Sequence, residues 1–251
     1  LGYNNTSGLS QMDYLIADPN LIKENEVKMY SEKILFFSNI WNCHSGFGTT
    51  RKENSSPLIK NKFITFGSFN NANKISDEVV SVWSKILKST NNSRLILKSS
   101  HSYCDKSLKE KFEKNKVLNL ITFLDKKNSF EEHINEYKNI DLALDTFPYN
   151  GVTTSFEAIW MGVPVLTLKG FNPNSRAGES ININLNMSYL IADNKDEYVS
   201  KAVELSNNFE KVIEIRKKLF DKALESNLFN DKKFSKEFYE NLEKIYFNHS
   251  P

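Results

Sequence analysis

Residues 140–168 decide the fold. They read Ile140-Asp141-Leu142-Ala143-Leu144, then Asp145-Thr146-Phe147-Pro148-Tyr149-Asn150-Gly151, a segment from Thr153 to Met161, and Pro164-Val165-Leu166-Thr167-Leu168. A short apolar run, a turn bearing Pro and Gly, a helix-length segment and a second apolar run make a strand–helix–strand unit. Runs without polar alternation belong to a parallel sheet covered on both faces.

The same grammar extends upstream. Phe63-Ile64-Thr65-Phe66 predicts a strand, and Gly67-Ser68-Phe69-Asn70-Asn71 a loop after it. Ser76 caps a helix whose apolar positions Val79, Val80, Trp83, Ile86 and Leu87 recur every three or four residues. Arg94-Leu95-Ile96-Leu97 is the next strand, and Ser107 to Lys116 a charged helix. Leu120-Ile121-Thr122-Phe123-Leu124 is a third strand, and Phe130 to Tyr137 a helix. Five apolar strands alternating with helices predict a doubly wound, Rossmann-like α/β domain with right-handed crossovers.

The ends differ. Residues 1–45 carry Gly2, Gly8, a strand at Tyr14-Leu15-Ile16, and Tyr30 to Phe37, open between helix and strand. Residues 46–60, with Gly46, Gly48 and Pro57, read as a linker, and 194–227 as long charged helices. An aromatic-rich helix, Phe234 to Phe247, closes the chain. The expected division is 1–45, linker 46–60, a Rossmann-like domain at 61–228, and a C-terminal segment at 229–251.

Composition excludes several classes. The chain has 251 residues and 29.0 kDa, with 39% apolar and 12% aromatic residues, which excludes a disordered or fibrous chain. A net charge of +2 gives no field for nucleic acid or anionic lipid. No apolar run approaches the roughly 20 residues of a membrane span. Cys43 and Cys104, far apart, make neither a disulfide framework nor a metal knuckle, so a reduced, cytoplasmic compartment is expected. The start at Leu1, without Met or a signal segment, reads as a piece of something longer.

Ligands of open α/β sheets bind beyond the carboxyl ends of the strands. The residues there are Asn70, Asn71 and Lys74, then Lys98 and Ser99, then Asp125 and the segment ending at His133, and finally Tyr149 to Glu157. Gly151 permits close backbone approach. Thr153 and Thr154 start a helix whose dipole favours an anion, and Glu157 follows one turn on, suited to accept the hydroxyls of a ribose. The same residues also fit a plain helix cap with a solvated Glu157, Lys74 a surface lysine, and His133 a surface or packing side chain. Neither Gly-x-Gly-x-x-Gly nor a Gly-Lys-Ser/Thr loop is present, and no metal-ligand cluster is implied. Asp141 and Asp145, four apart on one face of a strand, do not make a glycosidase pair.

Leu1-Gly2-Tyr3-Asn4-Asn5-Thr6-Ser7-Gly8, Met12-Asp13-Tyr14 and Tyr30-Ser31-Glu32-Lys33 resemble the end of the N-terminal catalytic domain of the O-GlcNAc transferase/SPINDLY family. Phe66-Gly67-Ser68-Phe69-Asn70-Asn71 through Lys74, then Leu144 to Gly151, Thr153-Thr154 and Glu157, resemble its C-terminal catalytic domain. The resemblance implies a GT-B fold: two Rossmann-like domains, a nucleotide-sugar donor in the cleft, and inverting, metal-free transfer to Ser or Thr of a protein acceptor.

Carried over by position, Lys74 is expected to bind the donor diphosphate and stabilise the leaving group. His133 is expected against the base, Thr153 and Thr154 at the phosphates, Glu157 at the ribose, Asn71 near the diphosphate, and Leu1 and Gly2 at the donor sugar. Val152 stands where O-GlcNAc transferases carry histidine and SPINDLY proteins threonine. UDP-GlcNAc is the expected donor, with GDP-fucose, a non-catalytic nucleotide-binding scaffold and another GT-B enzyme as rivals. No metal or other cofactor is implied. Most of the N-terminal catalytic domain, its proposed base and the acceptor-selecting helical repeats are expected on a longer chain, so this piece alone is expected not to turn over.

Overall fold

A computed structural model describes residues 5–48, 55–98 and 102–249, the side chains of 102–104 and 248–249 excepted. Leu1, Gly2 and Ser99 lie outside the described residues.

The sheet is built from β3 (Thr65–Ser68), β4 (Arg94–Lys98), β5 (Ile121–Leu124), β6 (Leu142–Leu144), β7 (Val165–Leu168) and β8 (Ile191–Ala192). Their order is β5-β4-β3-β6-β7-β8, and every neighbouring pair is parallel. The chain winds outward from β3 in one direction and from β6 in the other. The switch point therefore falls between β3 and β6, where loops leaving in opposite directions open a crevice. Six strands replace the expected five. The sixth, β8, is two residues long and carries no periodicity for a sequence reading to detect.

Helices cover both faces because their apolar stripes have nowhere else to go. In α2 (Asp77–Ser89) the Ser76 side chain accepts from the Val79 amide, and Val79, Val80, Trp83, Ile86 and Leu87 are buried as their spacing predicts. The expected helix at Ser107 to Lys116 begins earlier, as α3 (Ser102–Lys114). The helix expected over Phe130 to Tyr137 is α4 (Phe130–Asn135) continued by a 3-10 turn, Glu136–Asn139. Next come α5 (Thr153–Trp160), α6 (Ala177–Asn184), α7 (Lys195–Asn207) and α8 (Phe209–Glu225). Among the described residues, no helix is long and apolar enough to cross a membrane.

The first segment is a parallel pair, β1 (Tyr14–Ala17) and β2 (Lys33–Phe36), joined through a 3-10 turn at Glu24–Met29. Within Tyr30 to Phe37, Lys33–Phe36 thus resolves as strand. The stretch read as a linker ends in a helix, α1 (Pro57–Asn61), with Pro57 in its first turn, where proline is tolerated. The last helix, α9 (Asp231–His249), rests Phe234 and Phe238 on Phe37, and Glu237 accepts from the Ser38 amide and hydroxyl.

Asp141 fastens α1 to the sheet. Its buried carboxylate accepts from the Ser56 hydroxyl, the Leu58 amide (3.0 Å) and the Thr65 amide (2.8 Å). Burial raises its pKa against the pull of those bonds. Asp141→Ala would leave two buried amides unpaired, and urea unfolding is expected to show a loss of roughly 2–4 kcal/mol. A loss below about 0.5 kcal/mol, the scale of surface changes, would contradict that role.

Candidate functional site

The crevice at the switch point is organised by Asp145, the residue that follows β6. Its carboxylate is fully buried and accepts from the amides of Thr146 (2.9 Å) and Gly151 (2.7 Å), the Thr167 hydroxyl (2.8 Å) and the Asn70 amide group (3.4 Å). Burial pushes its pKa up to about 6 against these bonds and the nearby Lys74 charge. Asn70 follows β3, so this carboxylate bridges the strands on either side of the switch point. Asn70 in turn accepts from the Thr154 hydroxyl at 2.9 Å. A Cβ at Gly151 would sit 2.5 Å from Thr154 Oγ1 and 2.7 Å from Asn70 Oδ1. The close approach that Gly151 allows is therefore between these two side chains. Gly178 is required likewise: a Cβ there would meet Thr167 Oγ1 and lie 2.8 Å from the Asp145 carboxylate.

Lys74 ends the 3-10 turn Ala72–Lys74, whose start Asn71 caps by accepting from the Asn73 amide. The ammonium donates to the Asn150 carbonyl at 2.8 Å and lies over the Tyr149 ring, 3.9 Å from its centroid. Burial lowers the Lys74 pKa, and the Asp145 carboxylate partly offsets that. Asn150 is fixed on every side: its amide donates to Asn174 O (2.9 Å), its side chain donates to Thr146 O (2.9 Å), and its Oδ1 accepts from the Gly178 amide (3.3 Å).

Beyond Asn150 the chain enters α5, with Val152 at the cap and Thr153 and Thr154 as its first residues. Thr153 is exposed. Thr154 is half-buried, its hydroxyl engaged by Asn70. One turn on, Glu157 is buried, not solvated. Its Oε2 accepts from the Tyr137 hydroxyl at 2.8 Å and from His133 Nε2 at 3.1 Å. Oε1 has no hydrogen bond among the described residues, so one carboxylate oxygen is committed to holding His133 and the other is open. His133 is further walled by Phe69 (5.9 Å), Tyr137 (5.9 Å) and Phe130 (6.1 Å) between ring centroids. Tyr137 is buried, and burial beside Glu157 holds its phenol well above the ordinary range.

Lys74, Thr153, Thr154, Glu157 and His133 are thus brought to one crevice, with Asn71 shaping the turn that carries Lys74. Asn70 and Asn150, placed beyond the strand ends by the sequence, do build the site, whereas Asp145 and Tyr137 carry no such signal in the sequence. Asp145 follows an apolar strand, a visible position, but it was weighed only as half of a glycosidase pair with Asp141. The two carboxylates stand at opposite ends of β6 and serve different anchors. Cys43 is a free thiol that burial pushes up to about 11. Among the described residues, no group of three or more His, Cys, Asp and Glu side chains is arranged to hold a metal ion.

The profile of glycosyl transferase family 41 matches residues 44–238. A SPINDLY protein of Hordeum vulgare, named a probable UDP-N-acetylglucosamine–peptide N-acetylglucosaminyltransferase, is 34% identical over 241 residues, covering 94% of this chain and 25% of its own length. The Arabidopsis thaliana protein SEC, named likewise, is 30% identical over 261 residues, with 98% and 26% covered. The chain spans about a quarter of the length of the curated relatives it matches. Among solved structures, the K341M mutant of Thermobaculum terrenum O-GlcNAc transferase superposes with a TM-score of 0.83 at 28% identity, covering 97% of this chain and 46% of that one. Sucrose-phosphate synthase of Thermosynechococcus elongatus, at 10% identity and a TM-score of 0.61 over 94% of this chain and 59% of that one, shares the fold alone.

The raised carboxyl of Asp145 sets the sign of a pH effect. Its stabilising contribution is complete below the ordinary carboxyl value of 3.8 and is lost as pH rises through about 6, because the folded state holds the proton more tightly. Denaturant unfolding of the parent chain and of Asp145→Asn is expected to show the parent losing stability relative to the variant between pH 4 and 6, the other shifted carboxyls acting alike in both. An unchanged slope in the variant would contradict the assignment.

Proposed function

The chain belongs to glycosyl transferase family 41, and we propose that it is the donor-binding half of an inverting, metal-independent protein O-glycosyltransferase. In this proposal GlcNAc moves from UDP-GlcNAc to Ser or Thr of a protein acceptor. One observation carries it: a half-buried ammonium, Lys74, is held at the Asn150 carbonyl, three residues before the start of α5. A cation and a helix N-terminus side by side suit two linked phosphates. The open oxygen of Glu157, one turn deeper, suits a ribose hydroxyl, and the His133 ring, steadied by the other oxygen, suits a base.

In displacement with inversion the acceptor hydroxyl oxygen bonds the anomeric carbon from the face opposite the diphosphate. Its proton passes to the base expected on the longer chain, and the broken bond leaves its electron pair on the departing phosphate oxygen. Charge therefore grows on the β-phosphate during the step. Lys74 and the first amides of α5 stabilise that charge more in the transition state than in the ground state, which is the condition for acceleration. To serve the donor, Lys74 exchanges the Asn150 carbonyl for phosphate oxygen. The names of the curated relatives favour the GlcNAc donor.

Calorimetric titration of the full chain with UDP and with GDP tests this. UDP is expected to bind more tightly than GDP, and Lys74→Ala to weaken UDP binding by about tenfold or more, as for a charge-assisted bond of roughly 1.5–3 kcal/mol. Tighter GDP binding would reassign the donor. Failure of both nucleotides to bind, or indifference to Lys74→Ala, would overturn the proposal.

A further inference from the structure

We propose that Arg176 is a positioning residue for Lys74, holding the Asn150 carbonyl on which that ammonium rests in register with the Glu24–Met29 turn of the first segment. Its functional consequence rests on the role proposed above for Lys74; the geometry does not.

Arg176 is buried at the start of α6, and all five of its N–H groups are used. Nη1 and Nη2 each donate to one oxygen of Glu26 at 2.6 Å, a two-pronged pair. Nη1 also donates to Leu21 O at 3.3 Å, Nη2 to Phe171 O at 2.9 Å, and Nε to Gly170 O at 3.0 Å. One guanidinium thus joins the first segment, at Leu21 and Glu26, to the loop that follows β7. The pairing raises the Arg176 pKa and lowers that of Glu26, so both stay charged.

The loop it grips has little freedom of its own. The Gly170 amide donates to Ser175 O (2.8 Å), the Asn172 amide to Ser175 Oγ (3.0 Å), and the Ser175 amide to Asn172 Oδ1 (3.1 Å). Between these ties Asn174 presents its carbonyl to the Asn150 amide at 2.9 Å, and the Asn150 carbonyl receives Lys74. A continuous chain of bonds therefore runs from Glu26 through Arg176, the loop, Asn174 and Asn150 to the ammonium. A buried ion pair is a poor device for stability alone, since well-packed apolar groups serve as well. What the planar fork supplies, and a lysine does not, is fixed geometry.

Other ties hold α6 to the first segment without Arg176: Ser180 donates to the Asp18 carboxylate (2.7 Å) and Asn184 to Asn39 O (2.9 Å). Loss of the fork therefore lets the loop shift as a unit while α6 stays docked, so that Asn150 keeps its side-chain bonds to Thr146 and Gly178 but its backbone amide loses a fixed partner in Asn174.

The test reads Lys74 directly. Lysine ε-methylene resonances of the full chain are followed by NMR against pH without nucleotide, Lys74 being assigned as the signal missing from Lys74→Arg. The groups acting on the ammonium are the Asp145 carboxylate, the Tyr149 ring and the Asn150 carbonyl. In Arg176→Lys and Glu26→Gln the loosened carbonyl lets the ammonium move toward water. Its midpoint is then expected to rise by about half a pH unit or more toward the ordinary lysine value. UDP affinity is expected to fall about fivefold in parallel. Should Arg176→Lys fail to fold, Glu26→Gln, whose side chain is partly exposed, carries the same comparison. A lowered melting temperature with an unmoved Lys74 midpoint in both variants would reduce Arg176 to a structural tie and overturn the proposal. A chain that shows the shift but binds no UDP would instead defeat the donor assignment and leave the positioning role standing.

Discussion

A carboxylate removed from water at the end of the central strand is expensive unless donors surround it. Asp145 is in that position, and the donors that satisfy it define the crevice. Thr146 and Gly151 bring the loop after β6 back on itself, Thr167 ties in β7, and Asn70 reaches across from β3. With Asn70 held, Thr154 has its partner and the start of α5 is placed. With the loop held, the Asn150 carbonyl faces Lys74. The glycines at 151 and 178 follow from the same crowding, since any side chain there would collide with this network. Residues far apart in sequence are thus set around one charge.

Helix α6 connects this crevice to the rest of the molecule. Gly178 packs against Thr167 and Asp145, while Ser180 and Asn184 reach the first segment. Lys23 also lies 3.5 Å from Glu179 across the same seam, though an ion pair this exposed adds little. Phe234 and Phe238 of α9 rest on Phe37 of that segment. The geometry of the crevice and the placement of the first β-pair are therefore not independent.

The alternation of strands and helices is plain in the sequence because the central strands are buried on both faces and read as apolar runs, as in Leu142–Leu144 and Val165–Leu168, while β4 and β5 toward the edge are only partly buried. Ends were less legible. The first sheet strand runs from Thr65 rather than Phe63, yet Ile64 already accepts a ladder bond from Arg94, so the difference is one of boundary. β8 was invisible because two residues hold no pattern. At the site, residue types after each strand pointed to Lys74, Thr153, Thr154 and Glu157. Burial and long-range pairing did not show: nothing in a single sequence says that Glu157 grips His133 24 positions away, or that Arg176 finds Glu26 150 positions back.

A crystal structure of the full chain with bound UDP tests most directly whether this crevice cradles a diphosphate. The account requires Lys74 Nζ within hydrogen-bond distance of a β-phosphate oxygen, phosphate oxygens at the first amides of α5, a ribose hydroxyl on Glu157 Oε1, and Asp145 still bonded to Asn70 and Gly151. A nucleotide bound elsewhere, with Lys74 still on the Asn150 carbonyl, would contradict it.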